Sequence, residues 1–169
     1  MKAYDIRVYP DPVLTSKAKD IEKFDDDLRD IIDNMRITLQ IAGGVGLAAP
    51  QIGISKRIAL IVQEQHEYIL INPVLVEHSG RDIREEGCLS FPEIFSLVTR
   101  PYSIKVKTHD TNGEVKFIEA EGYLARAFLH EMDHLEGKLF IDLLSPLKRG
   151  MIRKKMKKRA IEKQNEGKE

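Results

Sequence analysis

Hydrophobic residues recur every three or four positions in two stretches of the chain, and each stretch predicts an amphipathic helix. In the first, residues 28–39, the apolar positions follow the acidic cluster Asp25–Asp27, which favours a helix N-terminus. This helix is expected to end at Gly43-Gly44. The second stretch runs from residue 124 to 136 without Gly or Pro, and Gly137 after it is a suitable C-terminal cap. Both helices should bury one face.

Strands are predicted where β-branched residues cluster or alternate with polar ones. Four segments have this pattern: residues 57–62, 68–71, 103–108 and 114–118. Asn72-Pro73 is expected to close the second segment, and Asn112-Gly113 is typical of a turn that joins the last two. Because strands and helices do not alternate as a parallel sheet requires, the predicted class is α+β. We expect short antiparallel or mixed β-sheets around the central helix, with an N-terminal helix and a C-terminal basic helix.

The predicted central helix carries the run His130-Glu131-Met132-Asp133-His134. Four residues turn about 400° on an α-helix, so His130 and His134 point the same way within about 40° and can bind one ion. Glu131 then lies beside the ion, where a general base for a metal-bound water is needed. The same residues also fit a solvated charged helix. A buried face, however, leaves the two imidazoles in need of partners, which a metal would supply.

A third protein ligand is not evident downstream of these histidines. The extended metalloprotease pattern places a further histidine where this chain has Phe140. The downstream carboxylates have no evident claim: Glu136, Asp142, Glu162, Glu166 and Glu169. Upstream lies the only cysteine, Cys88, and a thiolate is a strong ligand for Zn(II) or Fe(II). A lone cysteine is more often a small buried hydrophobe, so the residues alone leave both roles open.

Cys88 and the two histidines lie in two of three segments that together match one family pattern. The three segments are Gly44–Gln51, Glu86–Ser90 and His130–His134, the last followed by Gly137. Shorter matches occur at Asp11–Leu14, Ile71–Pro73 and Gly137–Asp142. In this order the segments closely resemble the peptide deformylase family of the bacterial type. The resemblance extends along the chain to about Ser145.

The resemblance implies a metallohydrolase that acts on linear amides. Peptide deformylases remove the formyl group from N-formylmethionine at the N-terminus of newly synthesised proteins and release formate. By this resemblance Cys88, His130 and His134 hold one divalent metal ion, which is Fe(II) in cells, with Zn, Ni or Co found in the purified protein. Glu131 takes a proton from the bound water and passes it to the leaving amine.

Five further positions match residues to which the family assigns roles. The side-chain amide of Gln51 and the backbone N–H of Leu89 would stabilise the oxyanion of the tetrahedral intermediate. Val45, Gly46 and Gly87 would bind the extended substrate backbone as an added strand is bound. On the residues alone, Gln51 also fits an ordinary turn, Leu89 an ordinary core position, and the glycines a helix stop.

The methionine pocket is expected to be lined by Tyr123, Arg126 and Ala127 from the central helix. For Arg126 we expect a buried stem with its charged head in water. Some family members have an Arg shortly after Pro-Glu of the second motif, but here Pro92-Glu93 is followed by Ile94-Phe95. That departure argues against a charged contact to the substrate backbone at this rim.

Composition agrees with this class. At 169 residues the chain suits one domain with its own core. One cysteine excludes an internal disulfide framework and suits a reducing compartment. The N-terminus lacks the apolar stretch of a signal peptide and no run approaches membrane-spanning length, so we expect a cytoplasmic protein without a membrane partner. No nucleotide cofactor is expected, because residues 43–46 lack the context of a dinucleotide or phosphate-binding loop.

Formal net charge is +0, but its distribution is uneven. Eight basic residues lie between Lys148 and Arg159, and no acid follows until Glu162. We divide the chain into a catalytic domain at residues 1–147 and, within the same domain, a basic C-terminal helix and tail at 148–169. The C-terminal helix of deformylases is associated with docking at the ribosome near the nascent-chain exit, and a basic helix can bind RNA phosphates. A solvated helix is the alternative.

Two other functions fit parts of the pattern. A metal-dependent peptidase would share the HExxH chemistry, but Phe140 at the missing ligand position and the presence of Cys88 disfavour it. A structural Cys-His-His zinc module would need a fourth protein ligand. By residue type alone, His66, His78 and His109 are candidates for that ligand.

Overall fold

The computed structural model of the chain describes residues 1–168. In this part of the chain three α-helices accompany seven β-strands. The helices are α1 (Asp26–Ala42), α2 (Gly122–Leu135) and α3 (Pro146–Glu166). The strands are β1 (Gly46–Ala48), β2 (Ile58–Gln63), β3 (His66–Ser79), β4 (Asp82–Cys88), β5 (Phe91–Arg100), β6 (Ser103–His109) and β7 (Val115–Glu121). Short 3-10 helices lie at Pro12–Thr15, Ala49–Ile52 and Phe140–Leu143.

Helix α1 begins and ends where its local chemistry requires. The Asp25 side chain caps the first turn by accepting a hydrogen bond from the Leu28 N–H at 3.1 Å. Gly43 follows the helix in a left-handed conformation, with φ 75°, and its N–H donates to the Leu39 carbonyl at 2.9 Å. The helix predicted at residues 28–39 and its glycine stop are therefore confirmed.

The strands form a five-stranded sheet in the order β1-β2-β3-β6-β7 and a separate two-stranded sheet of β4 and β5. Every strand pairing within residues 1–168 is antiparallel. The predicted turn at Asn112-Gly113 joins β6 to β7, where Gly113 N–H donates to the Asp110 carbonyl at 3.0 Å. Strand β1 is an edge strand, and β4 has a neighbour on one side only. The α+β class is confirmed.

Strand β3 corrects one prediction. Asn72-Pro73 does not end the strand, which continues to Ser79. The pairing with β6 shifts register between Ile71 and Val74, so the proline, which has no N–H to donate, sits at an irregularity. The Pro73 carbonyl instead accepts a hydrogen bond from the Arg57 side chain at 2.7 Å. The side chain of Arg57 therefore stabilises a segment of β3 that the local sequence predicts to be the end of the strand.

The two-stranded sheet was not predicted. Strand β4 has a composition that does not resemble a buried strand, because four of its seven residues are charged: Asp82, Arg84, Glu85 and Glu86. Its burial is uneven, since Glu86 is buried while Ile83, Arg84 and Glu85 are exposed. The strand is specified by its pairing with β5 and by ion pairs to the rest of the fold, neither of which has a local pattern.

Helices α1 and α2 cover opposite faces of the five-stranded sheet. Side chains alternate along β2, where Ile58 and Leu60 join the core shared with α1, while Ala59 and Ile61 join the core shared with α2. Within the second core the buried Phe128 ring of α2 packs edge-on against a ring from β3, with centroids 5.2 Å apart. Helix α2 therefore lies between the sheet and the β4–β5 hairpin, at the centre of the fold.

Helix α3 begins at Pro146, and the Ser145 side chain caps it by accepting a hydrogen bond from the Lys148 N–H at 3.3 Å. Its one buried residue is Met156, which packs into a third core with Phe91 and Phe140. None of the helices in the described part of the chain combines the length and the apolar character that crossing a membrane requires.

Candidate active site

The β4–β5 hairpin and helix α2 bring together three residues that can bind a metal. Cys88 ends β4, and His130 and His134 lie one turn apart on α2. One ligand atom from each residue, a sulfur and two ring nitrogens, lies within 4.8 Å of the other two. The Cys88 Sγ is 3.3 Å from the His134 Nε2. A thiolate with two imidazoles suits Zn(II) or Fe(II), so the residues present fit one divalent ion.

A bulge at the end of β4 turns the Cys88 side chain toward α2. Gly87 pairs with Phe95, whereas Cys88 pairs with Phe91, so the register shifts between the two residues. A Cβ on Gly87 would lie 2.6 Å from the Cε1 atom of the Phe95 ring. A side chain at position 87 would therefore displace the exposed Phe95 ring, which lies against the Gly87 backbone.

The loop after α2 ends the helix just beyond His134. Gly137 has φ 72°, and its N–H donates to the His134 carbonyl at 3.1 Å. A Cβ at this position would lie 2.8 Å from the Thr15 carbonyl oxygen. Both the backbone conformation and the close approach require glycine, which confirms the predicted cap.

Glu131 lies in the wall of the same site and is 4% exposed. Burial raises the pKa of its carboxyl to about 7, against the opposing charges of His130 and Arg100. A Cβ on Gly46 would lie 2.5 Å from the Glu131 Oε2, so β1 reaches this carboxyl only because it has a glycine there. A carboxyl with a pKa near neutrality is suited to take and return a proton.

The two histidines differ in the direction of their pKa shifts. Burial lowers the pKa of His134 well below its usual value, and the charge of His130 adds to that effect. Burial also disfavours the charged form of His130, but Cys88 and Glu86 outweigh it and raise the His130 pKa well above its usual value. A cation requires both rings to be neutral and the thiol to be deprotonated, so its binding releases protons.

A buried ion network ties the hairpin to the histidine helix. The Arg100 Nε donates to the Glu86 Oε1 at 2.6 Å, and its Nη1 donates to the Asp133 Oδ2 at 2.9 Å. The same Glu86 oxygen lies 3.8 Å from the His130 Nδ1. Burial raises the pKa of Glu86, but His130 and Arg100 outweigh it and lower the pKa to about 2. Glu86 is therefore charged, and its carboxylate lies beside the His130 ring.

Gln51 and Leu89 lie beside the cysteine. Gln51 is 1% exposed, and its Nε2 lies 3.6 Å from the Cys88 Sγ. Its Oε1 accepts a hydrogen bond from the Ala48 N–H at 2.9 Å. Leu89 is half-buried, and its side chain approaches the backbone of Gly44 across the site. Gln51 does lie in a turn, the 3-10 helix Ala49–Ile52, but its amide is buried beside the cysteine.

A cleft of about 570 Å³ opens onto these groups. One wall is the segment 43–46, which leads into edge strand β1, and the facing wall is the segment 85–89, which includes the end of β4. All of the predicted substrate-contacting residues line it: Val45, Gly46, Gly87, Tyr123, Arg126 and Ala127. The cleft therefore lies between two strands, each with a free edge, with α2 as its floor.

A family model described as polypeptide deformylase matches residues 3–150. The chain belongs to the peptide deformylase family. The peptide deformylase of Thermotoga maritima is 49% identical over 154 residues, which cover 90% of this chain and 94% of that protein. That of Thermodesulfovibrio yellowstonii is 46% identical over 162 residues, covering 93% of this chain and 98% of that protein.

Solved deformylase structures have the same fold. The Legionella pneumophila peptide deformylase is 41% identical and superposes with a TM-score of 0.88, covering 95% of this chain and 97% of that one. The Ehrlichia chaffeensis peptide deformylase, solved in complex with actinonin, is 38% identical with a TM-score of 0.89, covering 94% of this chain and 98% of that one. The predicted family, fold class and enzyme class are confirmed.

Arg126 of this deformylase does not behave as predicted. Its guanidinium is not in water, since the residue is 2% exposed. The Nη1 donates to the Val98 carbonyl at 2.9 Å, and the Nη2 donates to the Asp82 carbonyl at 2.8 Å. The charged head therefore joins α2 to both strands of the hairpin. The sequence pattern of the helix suggested a solvent-exposed guanidinium. It could not show these carbonyl acceptors, because they lie on a hairpin distant in sequence.

The histidines considered for a structural zinc module lie elsewhere. Within residues 1–168, one group of three or more metal-binding side chains is found, and it contains Cys88, His130 and His134. Phe140, at the position of the missing protease ligand, packs its ring against His130, with centroids 5.9 Å apart. Neither alternative function gains support from this arrangement.

Two residues of the deformylase site were missed. Arg100 ends β5 and gives no local signal of a buried ion pair, because its partners Glu86 and Asp133 lie on other elements. Ser90 belongs to a matched segment, yet the sequence assigns it no role, although it is fully buried against Gln51. Both were invisible because their partners lie on other segments.

Proposed function

We propose that Cys88, His130 and His134 hold one divalent cation beside the general base Glu131. The reaction is that of the deformylase family, the removal of the formyl group from N-formylmethionine at the N-terminus of a newly synthesised protein, with release of formate. The observation that carries the proposal is the convergence of one sulfur and two ring nitrogens within 4.8 Å, next to a buried carboxyl.

Proton transfer is the work of Glu131 in this proposal. A bound divalent cation would polarise the formyl carbonyl and lower the pKa of the attacking water. Glu131, whose pKa burial raises to about 7, takes the proton that this water loses. The water oxygen bonds to the formyl carbon, the carbon–nitrogen bond breaks, and Glu131 gives the proton to the leaving amine. The products are formate and a free N-terminus.

The side-chain amide of Gln51 and the backbone N–H of Leu89 donate to the oxyanion that develops on the formyl group. The buried position of the Gln51 amide, beside the Cys88 sulfur, supports this role. Because such donors are already directed at the oxyanion position, they need not reorient when negative charge develops there. Loss of one such donor typically lowers kcat by about 10²–10³-fold.

The substrate backbone lies extended in the cleft, between Val45 and Gly46 on one side and Gly87 on the other. Support comes from the free edges of β1 and β4, which face each other across it. Strand-like pairing binds a peptide without selecting its side chains, so it suits an enzyme that accepts many nascent chains. The methionine side chain enters the pocket at Tyr123, Arg126 and Ala127.

The metal in cells is Fe(II) in this proposal, and Zn, Ni or Co can occupy the site of the purified protein. One thiolate with two imidazoles supports any of these ions, and affinity alone favours zinc over iron. Anaerobic preparation with Fe(II) should give a more active enzyme than the zinc form, and air should inactivate it with oxidation of Cys88. Equal turnover by the two metal forms would contradict the assignment.

The reaction itself is tested by formate release from formyl-Met-Ala-Ser. Purified enzyme with one equivalent of metal should release formate from this peptide and leave acetyl-Met-Ala-Ser intact. Mass spectrometry of the products separates a deformylase from a peptidase, since a peptidase would cut between residues of either peptide. Cleavage of peptide bonds without release of formate would overturn the proposal.

The basic C-terminal helix and tail, residues 148–169, are proposed to dock the enzyme on the ribosome, next to the catalytic domain at 1–147, and a cytoplasmic location is part of this proposal. Support comes from exposed lysines along α3, whose one buried residue is Met156. Four of them can be replaced by Gln without touching that contact: Lys154, Lys155, Lys157 and Lys158. The variant should co-sediment less with ribosomes in low salt. Unchanged co-sedimentation across a salt series would exclude this role.

A further inference from the structure

Ser90 is a fully buried serine that no step of the proposed mechanism uses. It is 0% exposed, and its Oγ lies 3.2 Å from the Gln51 Nε2, at the distance of a hydrogen bond. Buried hydroxyl groups in proteins nearly always have a hydrogen-bond partner, and here the partner is the Gln51 amide that is proposed to bind the oxyanion.

The contacts of Gln51 determine the orientation of its side-chain amide. The Ala48 N–H donates to the Oε1 at 2.9 Å, and only the amide oxygen can accept it. The Nε2 is therefore the end that lies near Ser90 and Cys88. A carboxamide nitrogen carries two N–H groups. The Ser90 Oγ takes one of them, so the other is left on the side of the Cys88 sulfur.

The backbones of the two residues are held by a third segment. The Arg7 N–H donates to the Gln51 carbonyl at 2.7 Å, and the Tyr9 N–H donates to the Ser90 carbonyl at 3.0 Å. The Tyr9 ring stacks on Phe91, the neighbour of Ser90, with centroids 5.2 Å apart. The N-terminal segment therefore fixes the separation of the serine and the glutamine, independently of their side chains.

We propose that Ser90 is a positioning residue that acts through Gln51. The Ser90 Oγ accepts a hydrogen bond from one amide N–H of Gln51. This hydrogen bond restricts rotation about the terminal side-chain torsion of Gln51, which otherwise has a broad energy minimum. The second amide N–H is thereby held toward the oxyanion. This inference rests on the proposed role of Gln51. Preorganisation of a donor affects the transition state, where charge develops, more than the bound substrate.

A double-mutant cycle tests the inference. The variants are Ser90→Ala, Gln51→Ala and the pair of substitutions, with kcat, KM and bound metal measured for formate release from formyl-Met-Ala-Ser. Ser90→Ala should lower kcat about tenfold while KM and metal content change less than about twofold. In the Gln51→Ala background the same serine substitution should change kcat by less than about twofold, because the residue through which it acts is gone.

A matched control lies on the same hairpin. Ser96 is half-buried on β5 and pairs with Glu86 in the strand register, away from Gln51. Ser96→Ala should leave kcat unchanged. Activities are expressed per bound metal ion and melting temperatures are compared, so that partial unfolding of the Ser90→Ala enzyme is not counted as a loss of kcat.

Three results would overturn the inference: an equal loss of kcat in both backgrounds, a loss that follows metal content, or no loss in Ser90→Ala. The cycle also separates this inference from the mechanism on which it rests. If Gln51→Ala is itself fully active, the oxyanion role of Gln51 fails. If Gln51→Ala loses activity and Ser90→Ala does not, the positioning role of Ser90 alone fails.

Discussion

Helices α2 and α3 have the same secondary structure and opposite surroundings. Eight of the fourteen residues of α2 are buried, among them Arg126, Glu131 and His134. Helix α3 is longer, with 21 residues, and Met156 is its one buried residue. A buried charged group in α2 is therefore removed from water, so either a partner compensates its charge or its pKa shifts toward the neutral form. The charged groups of α3 remain in water.

This difference shows how a fold turns ordinary side chains into reactive ones. Two charged groups of α2 have partners in the β4–β5 hairpin: Asp133 accepts a hydrogen bond from Arg100, and Arg126 donates to the Val98 carbonyl. Helix α3 has few such ties, for example the Arg159 Nη1 that donates to the Pro92 carbonyl at 2.8 Å. Substitutions in or against α2 should therefore have large and specific effects, and those on α3 small ones.

The largest effect is expected from Glu131→Gln. The amide nearly preserves the shape of the side chain but cannot take a proton, so kcat should fall by about 10²–10⁴-fold. Metal content should stay near that of the wild type, because Glu131 is beside the ligands and not among them. Formate release and metal analysis on the same preparation check this, and normal turnover with metal bound would require another base.

Arg100→Met should cost stability. Removing one partner of a buried ion pair typically costs about 3–5 kcal/mol, and the lower end is expected here because the Arg126 Nη1 still lies 3.5 Å from the Glu86 Oε1. The matched control is Arg29→Met, since Arg29 makes an exposed pair with Asp26 and should change stability by less than about 1 kcal/mol. Urea unfolding of both variants measures the difference. Similar losses of unfolding free energy in the two variants would show that the buried ion pairs of Arg100 contribute no more to stability than the exposed pair.

Acid should destabilise the protein through Glu86. Its pKa is lowered from 4.5 to about 2 on folding, so the charged form contributes stability above about pH 4.5 that is lost as pH falls through about 2. One pKa unit corresponds to about 1.4 kcal/mol, which makes the contribution on the order of 3 kcal/mol. Unfolding free energies measured from pH 5 to 2 should fall less steeply in Glu86→Gln. Parallel curves would contradict the assignment.

The smallest effects should come from α3. Replacing its exposed residues Lys154 and Lys155 by Gln should change the free energy of unfolding by less than about 0.5 kcal/mol and leave kcat on a short peptide within about twofold. Met156→Ala should cost about 2–5 kcal/mol instead, because it creates a cavity in the third core. Thermal melts and formate release check both. A large loss of kcat in the lysine variant would mean that α3 takes part in the reaction.

The same contrast explains what the sequence could predict. Helix ends followed from local chemistry, such as the Asp25 cap and the left-handed Gly43. Strand β4 was missed because its stability comes from pairing and from ion pairs with distant residues, among them Arg100. Strand β3 was predicted to stop at Asn72-Pro73 because a local break signal cannot show the long-range contacts that carry the strand past it.

The candidate site divides in the same way. The spacing of His130 and His134 follows from helix geometry and could be predicted from the residues. Their meeting with Cys88 could not, since the first histidine lies 42 positions after the cysteine, and this prediction came from the family resemblance. The buried head of Arg126 and the contact between Ser90 and Gln51 depend on how separate segments pack, so no local pattern indicated them.

The position of the cation tests the central claim most directly. Crystals of the metal-loaded enzyme, measured at the absorption edge of the loaded ion, should give one anomalous peak at this site. We predict a peak about 2.3 Å from the Cys88 Sγ and about 2.0–2.1 Å from a ring nitrogen of each of His130 and His134. A fully loaded enzyme whose peak lies away from any of the three side chains would contradict the account.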